Sequence, residues 1–230
     1  MRSFWAYVSN GEFSVGCTGR TVFIYDKDNN ELGQFKDITY AYTPMISPDG
    51  KFVAIKTTEG RFAVYSLETL SLIKKFRYSK VDGAQDDGFC FSPDSKYLIN
   101  LERQQDTLHS AISVYDTSDF SLVERVFIDK KIMLSTIEYD EQSDMYFVLG
   151  FERGTEGYAS KFFVARLVDL QIVNVTYIPQ EECDFYRRYI DLKIMGFTQK
   201  AYQWSFLEVG LDELKSKNCS LAELYKRYNA

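Results

Sequence analysis

The chain contains few side chains that could perform acid–base or metal chemistry. His109 is the only histidine among 230 residues, so a zinc centre built on imidazole or a serine–histidine–aspartate triad would have to include it. Cys17, Cys90, Cys183 and Cys219 lie far apart and form no Cys-x-x-Cys pair, a spacing that predicts neither a zinc site nor a disulfide framework. The sequence therefore predicts no metal, no cofactor and four free thiols.

The segment 26–30, Asp-Lys-Asp-Asn-Asn, places oxygen ligands as they occur at the start of a calcium-binding loop. The glycine that such a loop needs at its sixth position is Glu31 here. A hairpin turn is the better interpretation. No glycine-rich phosphate-binding loop and no Gly-x-Ser-x-Gly nucleophile motif is present.

Carboxylates are the remaining candidates for catalysis. Glu102, Glu152 and Asp86 lie in connections that a repeat fold would bring to one end of the molecule, but convergence of that kind follows from the architecture alone. We predict a protein that is not an enzyme. The alternative is a hydrolase or lyase that uses carboxylates converging in a central funnel.

The composition limits the classes of partner. The chain is 45% hydrophobic, 16% aromatic and 26% charged, with only four prolines, which is typical of a folded, β-rich protein. A net charge of −6 argues against a partner held through phosphates, so we expect no nucleic acid. No apolar stretch has the length of a signal peptide or a membrane span, so we expect no membrane association and a cytoplasmic location.

An internal repeat determines how these residues are positioned. Val64, Val114 and Val164 occupy the same place in three segments that follow one another at intervals of 50 residues (114 − 64 and 164 − 114). A Ser-Pro-Asp turn at 47–49 and again at 92–94 precedes two of them, each between apolar runs. Proline and aspartate favour the central positions of a tight turn, so these are predicted hairpins.

Each repeat resolves into four short strands, which we name A to D in chain order. In the second repeat the predicted strands are Tyr40–Ile46, Phe52–Thr57, Arg61–Ser66 and Ser71–Arg77. Four antiparallel strands in roughly 40 to 50 residues are typical of a propeller blade, because one small sheet cannot bury both of its faces. The predicted fold class is therefore all-β, a small β-propeller.

The residues of the repeat resemble a known family. Ser47 to Ala54 (Ser-Pro-Asp-Gly-Lys-Phe-Val-Ala), followed by Phe62 to Ser66, is similar to the blades of WD-repeat β-propellers. No blade has the Gly-His or Trp-Asp dipeptide of that family, and Tyr25-Asp26 and Tyr115-Asp116 stand where Trp-Asp would. The resemblance implies a divergent propeller that binds other proteins.

We expect one domain, 1–230, most simply with five blades of up to four strands. The blades are predicted at about 3–37, 38–78, 88–128, 133–178 and 188–210, with a C-terminal helical segment at 211–230. An open array, or one that a second copy completes, is the alternative for the ring. Ser220 is a predicted N-cap with a glutamate three residues later, and a helix exposing Leu221 and Tyr228 could dock into a larger assembly.

The lengths of the connections select one face for binding. The A–B and C–D turns are short, whereas the B–C and D–A connections on the opposite face are long, and binding residues concentrate in long loops on a rigid scaffold. We call the two ends the short-turn face and the long-loop face. The residues predicted to bind a partner on the long-loop face are Asp82, Asp86, Asp87, Glu102, Arg103, His109, Glu152, Arg153, Tyr158, Glu181, Glu182, Tyr186, Arg187 and Arg188.

The acidic charge of the chain favours a basic protein as partner. One specific hypothesis is an inhibitor or immunity-type protein that caps a basic toxin or enzyme. The protein itself is expected to be a monomer or a homodimer.

Overall fold

The computed structural model describes residues 4–78, 88–103, 109–154, 159–186 and 220–229. Within these residues the chain forms sixteen strands, arranged as four sheets of four antiparallel strands. Each sheet is a meander in which strands pair in chain order. The predicted all-β class and the four-stranded blade are thereby confirmed.

The blades are numbered in chain order. Blade 1 consists of β1 (Ala6–Ser9), β2 (Phe13–Cys17), β3 (Val22–Asp26) and β4 (Glu31–Phe35), and blade 2 of β5 (Ala41–Ile46), β6 (Phe52–Thr57), β7 (Arg61–Ser66) and β8 (Ser71–Arg77). Blade 3 consists of β9 (Phe89–Phe91), β10 (Tyr97–Arg103), β11 (Ser110–Asp116) and β12 (Ser121–Phe127), and blade 4 of β13 (Ile132–Asp140), β14 (Met145–Arg153), β15 (Ala159–Val168) and β16 (Gln171–Ile178). The predicted fifth blade, 188–210, lies outside the described residues.

The repeat has a common backbone geometry. In all four blades the register between the third and fourth strands shifts at the same place, after Ile24, Val64, Val114 and Val164. A shift of this kind is a β-bulge, which increases the local twist of the sheet. The repeated valines therefore mark the position of the β-bulge, and they are buried or partly buried.

The short turns also repeat in detail. In blade 2, Ser47 Oγ donates to Asp49 Oδ1 at 2.7 Å, and in blade 3 Ser92 Oγ donates to Asp94 Oδ1 at 2.7 Å. Ser95 Oγ accepts from the backbone amide of Asp49 at 3.0 Å, so the turns of neighbouring blades are joined. The sequence prediction of a hairpin at each Ser-Pro-Asp is confirmed.

The core lies between the blades. Along β6 the side chains alternate, so that Val53 and Ile55 pack against blade 1 while Ala54 packs towards blade 3. First strands of neighbouring blades contact one another, as β1 does with β5 and β9 with β13. The fourth strands lie outermost, and most residues of β8 and β12 are exposed.

The C-terminal helix completes the far side of blade 4. A short helical segment, α1 (180–186), follows β16, and the helix α2 (Leu221–Tyr228) packs beside it. Ser220 caps α2 by accepting from the amide of Glu223 at 3.2 Å, as predicted. Leu221 is fully buried, so the idea of a docking helix that exposes this residue is wrong.

Candidate partner-binding face

The long-loop face is formed where the first strand of each blade begins and the second and fourth strands end. Four aromatic side chains at these positions are exposed by half or more: Trp5 by 58%, Tyr40 by 54%, Phe127 by 58% and Tyr177 by 50%. Each comes from a different blade. Exposed aromatic residues are favoured anchors of protein–protein interfaces, because they bring a large contact area at low entropic cost.

Two of these aromatics sit in local structure that holds them outward. The indole of Trp5 contacts the ring of Tyr42 edge-on, with centroids 5.9 Å apart. Tyr40 has a φ of 54°, in the left-handed region, just before β5 begins. None of the four was among the residues predicted from the sequence to bind a partner.

Two predicted site residues are instead interior. Glu102 is 1% exposed and Tyr186 is fully buried. Glu102 faces blade 2 because it lies on the same side of β10 as Leu98, which packs with residues of β6 and β7, and Asn100, which bonds Lys56 of β6. Neither side chain is placed to meet a partner, so the structure corrects this part of the prediction.

Glu102 belongs to a buried polar network between blades 2 and 3. Its Oε1 lies 2.6 Å from Arg125 Nε, and its Oε2 accepts from Asn100 Nδ2 at 3.3 Å. Lys56, 3% exposed, donates from Nζ to Asn100 Oδ1 at 2.7 Å and to the Leu101 carbonyl at 2.7 Å. Burial raises the pKa of Glu102, and the charge of Arg125 opposes that rise. The network ties the two blades together directly beneath the long-loop face.

Tyr186 and Glu182 make hydrogen bonds that help to attach the C-terminal helix α2. Tyr186 donates from its hydroxyl to Glu138 Oε1 at 2.5 Å, and Glu138 Oε2 accepts from the Leu221 amide at 2.8 Å. Glu182 bonds Arg227 at 3.0 Å and the hydroxyl of Tyr228 at 3.1 Å. Glu181, in contrast, is exposed.

The remaining described site residues lie at the seam between blades 3 and 4. Arg103 ends β10, His109 precedes β11, and Glu152 and Arg153 end β14. Glu152 accepts from the hydroxyl of Tyr177, and Lys161 lies 5.3 Å from the Tyr177 ring centroid. Glu102 and Glu152 are thus held by different partners in different blades.

Six predicted site residues lie outside the described residues. They are Asp82, Asp86, Asp87, Tyr158, Arg187 and Arg188. Their place in a binding surface remains a prediction from sequence.

The supposed calcium segment is a turn. Asp26 Oδ1 accepts from the amides of Asp28 at 2.9 Å and Asn30 at 2.8 Å. The hydrogen bond from the Asn30 side chain, together with these backbone bonds, holds the pKa of Asp26 below its usual value. In the described part of the chain, no three histidine, cysteine or acidic residues are grouped as a metal site would need. Likewise, none of its helices has the length and apolarity to cross a bilayer.

The short-turn face carries a strong excess of negative charge. The A–B and C–D turns and the strand ends beside them carry thirteen acidic residues and only three lysines, Lys27, Lys51 and Lys96. The acidic residues are Glu12, Asp26, Asp28, Glu31, Asp49, Glu68, Asp94, Asp116, Asp119, Asp140, Glu141, Asp144 and Asp169. The formal charge of this face is therefore 3 − 13 = −10, which leaves +4 for all other residues of a chain whose total is −6.

The fold is that of known propellers. The chain is similar to the WD40 domain of Toxoplasma gondii coronin, with 15% identity and a TM-score of 0.58 over 76% of this chain and 45% of that one. It is also similar to hydrazine synthase of Kuenenia stuttgartiensis (16% identity, TM-score 0.57, 74% of this chain and 52% of that one) and to U3-55K (14% identity, TM-score 0.56, 77% and 53%). This chain spans about half the length of these structures. No family model and no curated protein matches it.

The chain is therefore a divergent WD-repeat-like β-propeller in its fold. Likeness at this level of identity identifies the fold alone, because one fold can host unrelated functions.

Proposed function

We propose that this protein is a non-enzymatic binding module that docks another protein on its long-loop face. The observation that carries the proposal is the set of four exposed aromatics, Trp5, Tyr40, Phe127 and Tyr177, one from each blade and all at the same face. A rigid scaffold that presents separated aromatic anchors fits a broad protein surface better than a small molecule.

Replacing Phe127 by serine together with Tyr40 by asparagine should reduce capture of the partner by about ten-fold or more, because each lost anchor costs on the order of 1–2 kcal/mol. Asparagine is chosen at position 40 because it tolerates the left-handed φ of that residue. The measurement is affinity capture from the native lysate, quantified by mass spectrometry.

Tyr97→Ser is the matched control, since Tyr97 is 40% exposed but lies at the short-turn face. It should retain the partner. Recovery of the same proteins at equal yield by the double variant and by the unaltered chain would contradict the use of the long-loop face.

The alternative, a hydrolase or lyase with converging carboxylates, is not favoured by the described residues. Glu102 is buried and paired with Arg125, and Glu152 is engaged by Tyr177. A catalytic carboxylate has to reach its substrate in the required protonation state. Neither glutamate is placed for that.

We further propose that residues 188–210 form a fifth sheet that closes the ring against the outer side of blade 1. That side carries an aromatic cluster in which the ring of Phe4 lies 5.9 Å from Phe23, 6.1 Å from Tyr7 and 6.1 Å from Tyr25. Phe23 is 7% exposed. Terminal repeats need such cover, because an uncovered apolar sheet face is unstable in water.

The fluorescence of Trp204 can test this closure. In the Trp5→Phe variant, Trp204 is the single tryptophan of the chain. In a fifth sheet, its fluorescence should be blue-shifted and protected from acrylamide quenching in the native protein, and both effects should disappear in denaturant. Native emission equal to that of the unfolded chain would favour the open or dimer-completed array, which analytical ultracentrifugation would then separate.

A further inference from the structure

The helix α2 crosses the far side of blade 4, which is the side that faces away from blade 3. It begins beside Glu138 of β13, whose Oε2 accepts from the first backbone amide of the helix at 2.8 Å. It ends beside Thr176 of β16, whose hydroxyl donates to the residue after the helix at 3.3 Å. Between these points the ring of Tyr225 lies 5.4 Å from that of Phe147 on β14. A strip of the same sheet lies between this path and the short turns.

Arg166 of β15 lies in this strip. It is paired with Phe147 of β14 and with Val173 of β16, so its side chain points to the same side of the sheet as theirs. Val168, two residues further along β15, points the same way and is 42% exposed. Met145, at the start of β14, is partly buried on this side. We call Met145, Arg166, Val168 and Val173 the arginine strip.

The guanidinium group of Arg166 has a buried nitrogen without a hydrogen-bond acceptor. Its side chain is partly buried, and its Nε is shut off from solvent and bonds to no group of the described residues. By contrast, Arg125 is paired with Glu102 at 2.6 Å and Arg227 with Glu182 at 3.0 Å. A buried donor without an acceptor costs free energy, and the acceptor that it lacks can be supplied by a ligand.

The surroundings favour an anion with a single negative charge and an apolar body. The valines and the methionine of the arginine strip offer apolar surface beside the guanidinium group, whose planar donors match the two oxygens of a carboxylate. Asp140 and Asp169 belong to the neighbouring short turns. Their charges repel a doubly charged phosphate more strongly than a singly charged carboxylate.

We propose that the arginine strip binds a carboxylate carried on an apolar segment of a partner protein. The carboxylate accepts hydrogen bonds from Arg166, and the apolar atoms that carry it cover Val168. The strip lies near the short-turn end of β15, away from the four exposed aromatics of the long-loop face. The inference therefore goes beyond the proposed function and does not depend on it.

The site can be tested with butyrate, which joins one carboxylate to a short apolar chain. In NMR titrations at constant ionic strength, we expect saturable shifts of the Arg166 Nε–H signal and of the backbone amides of Val168 and Val173. Neutral butyramide should cause no saturable shift. In the Arg166→Met variant, which keeps an unbranched apolar stem, the two backbone amides should report binding at least about ten-fold weaker, as expected for the loss of charge-assisted hydrogen bonds.

Arg227→Met is the matched control, because Arg227 lies on the same side of blade 4 but is already paired with Glu182. It should leave the butyrate titration unchanged. Arg166→Lys keeps the positive charge and loses the planar paired donors, so it should bind butyrate with intermediate affinity.

The stability of the protein without ligand gives a second measurement. Because the Nε of Arg166 lacks an acceptor, the Arg166→Met variant should unfold at the same urea concentration as the unaltered protein or at a higher one. A lower midpoint, or a variant that does not fold, would show that an acid of this chain already pairs with Arg166, and the proposal would be wrong.

Linear, non-saturating shifts with butyrate would overturn the proposal. So would tighter binding of inorganic phosphate than of butyrate, since the strip would then select a multiply charged anion. The aromatic capture experiment concerns other residues, so its failure would leave this site standing, and failure of the butyrate titration would leave the long-loop face unaffected.

Discussion

Replacing Glu102 by alanine should lower the free energy of unfolding by about 3 kcal/mol, the low end of the range for removing one partner of a buried ion pair. The carboxylate is 1% exposed and lies 2.6 Å from Arg125 Nε. Its removal leaves Arg125 and Lys56 as two cations between the blades without the negative charge that both of them approach. We expect a loss at the low end of that range because the Arg125 side chain is 28% exposed and water can reach it.

Urea denaturation would measure this loss. Glu59→Ala serves as the comparison, because Glu59 lies 3.9 Å from Arg61 on the surface and should cost less than about 1 kcal/mol. Glu102→Gln should fall between the two, since the amide can still bond Arg125 or Asn100 but carries no charge. If Glu102→Ala unfolds at the same urea concentration as Glu59→Ala, the network does not hold blades 2 and 3 together.

Leu224→Ala in the C-terminal helix should destabilise the whole protein by about 3 kcal/mol, as a large-to-small change in a packed core does. Leu224 is 1% exposed and packs with Phe147, Leu149 and Val164 of blade 4. The helix therefore belongs to the core of this blade, and its loss should be seen as unfolding.

Lys226→Ala tests the opposite side of the same helix, where the side chain is exposed, and should change stability by less than about 0.5 kcal/mol. Thermal denaturation of both variants distinguishes the two roles. A Leu224→Ala protein that keeps its melting temperature but no longer captures the partner would make α2 a docking element, contrary to its burial.

The strands of the central blades were predictable because the repeat supplies the same pattern more than once. β6, β7 and β8 begin and end at the predicted residues, and each is bounded by a turn whose residues have a local physical reason to be there. Strand order follows as well, since consecutive strands joined by short turns pair as a meander.

The buried polar network was not predictable in the same way. Glu102 and Arg103 follow one another near the end of a strand, and such a charged pair is expected in a solvated loop because charged residues are seldom buried. The alternation of Leu98, Asn100 and Glu102 on one side of β10 was the available signal. It becomes decisive only when Lys56 and Arg125, which are distant in sequence, are known to lie opposite.

The exposure of the four aromatic residues was not predictable from the sequence either. Phe127 is the last residue of β12 and Tyr177 the last but one of β16, and the preceding residues Val126 and Thr176 are partly or fully buried. A period-2 pattern cannot tell which side of an outermost strand is covered. Only the packing of whole blades decides that.

The thirteen carboxylates of the short-turn face outnumber its three lysines, so this face produces an electric field of one sign on one side of the molecule. In the field of a charged partner such a molecule rotates before it makes contact. An acidic partner would be repelled from the short-turn face, and a basic one would be attracted to it. At low ionic strength the association rate would then reflect orientation as well as attraction, and added salt would remove both.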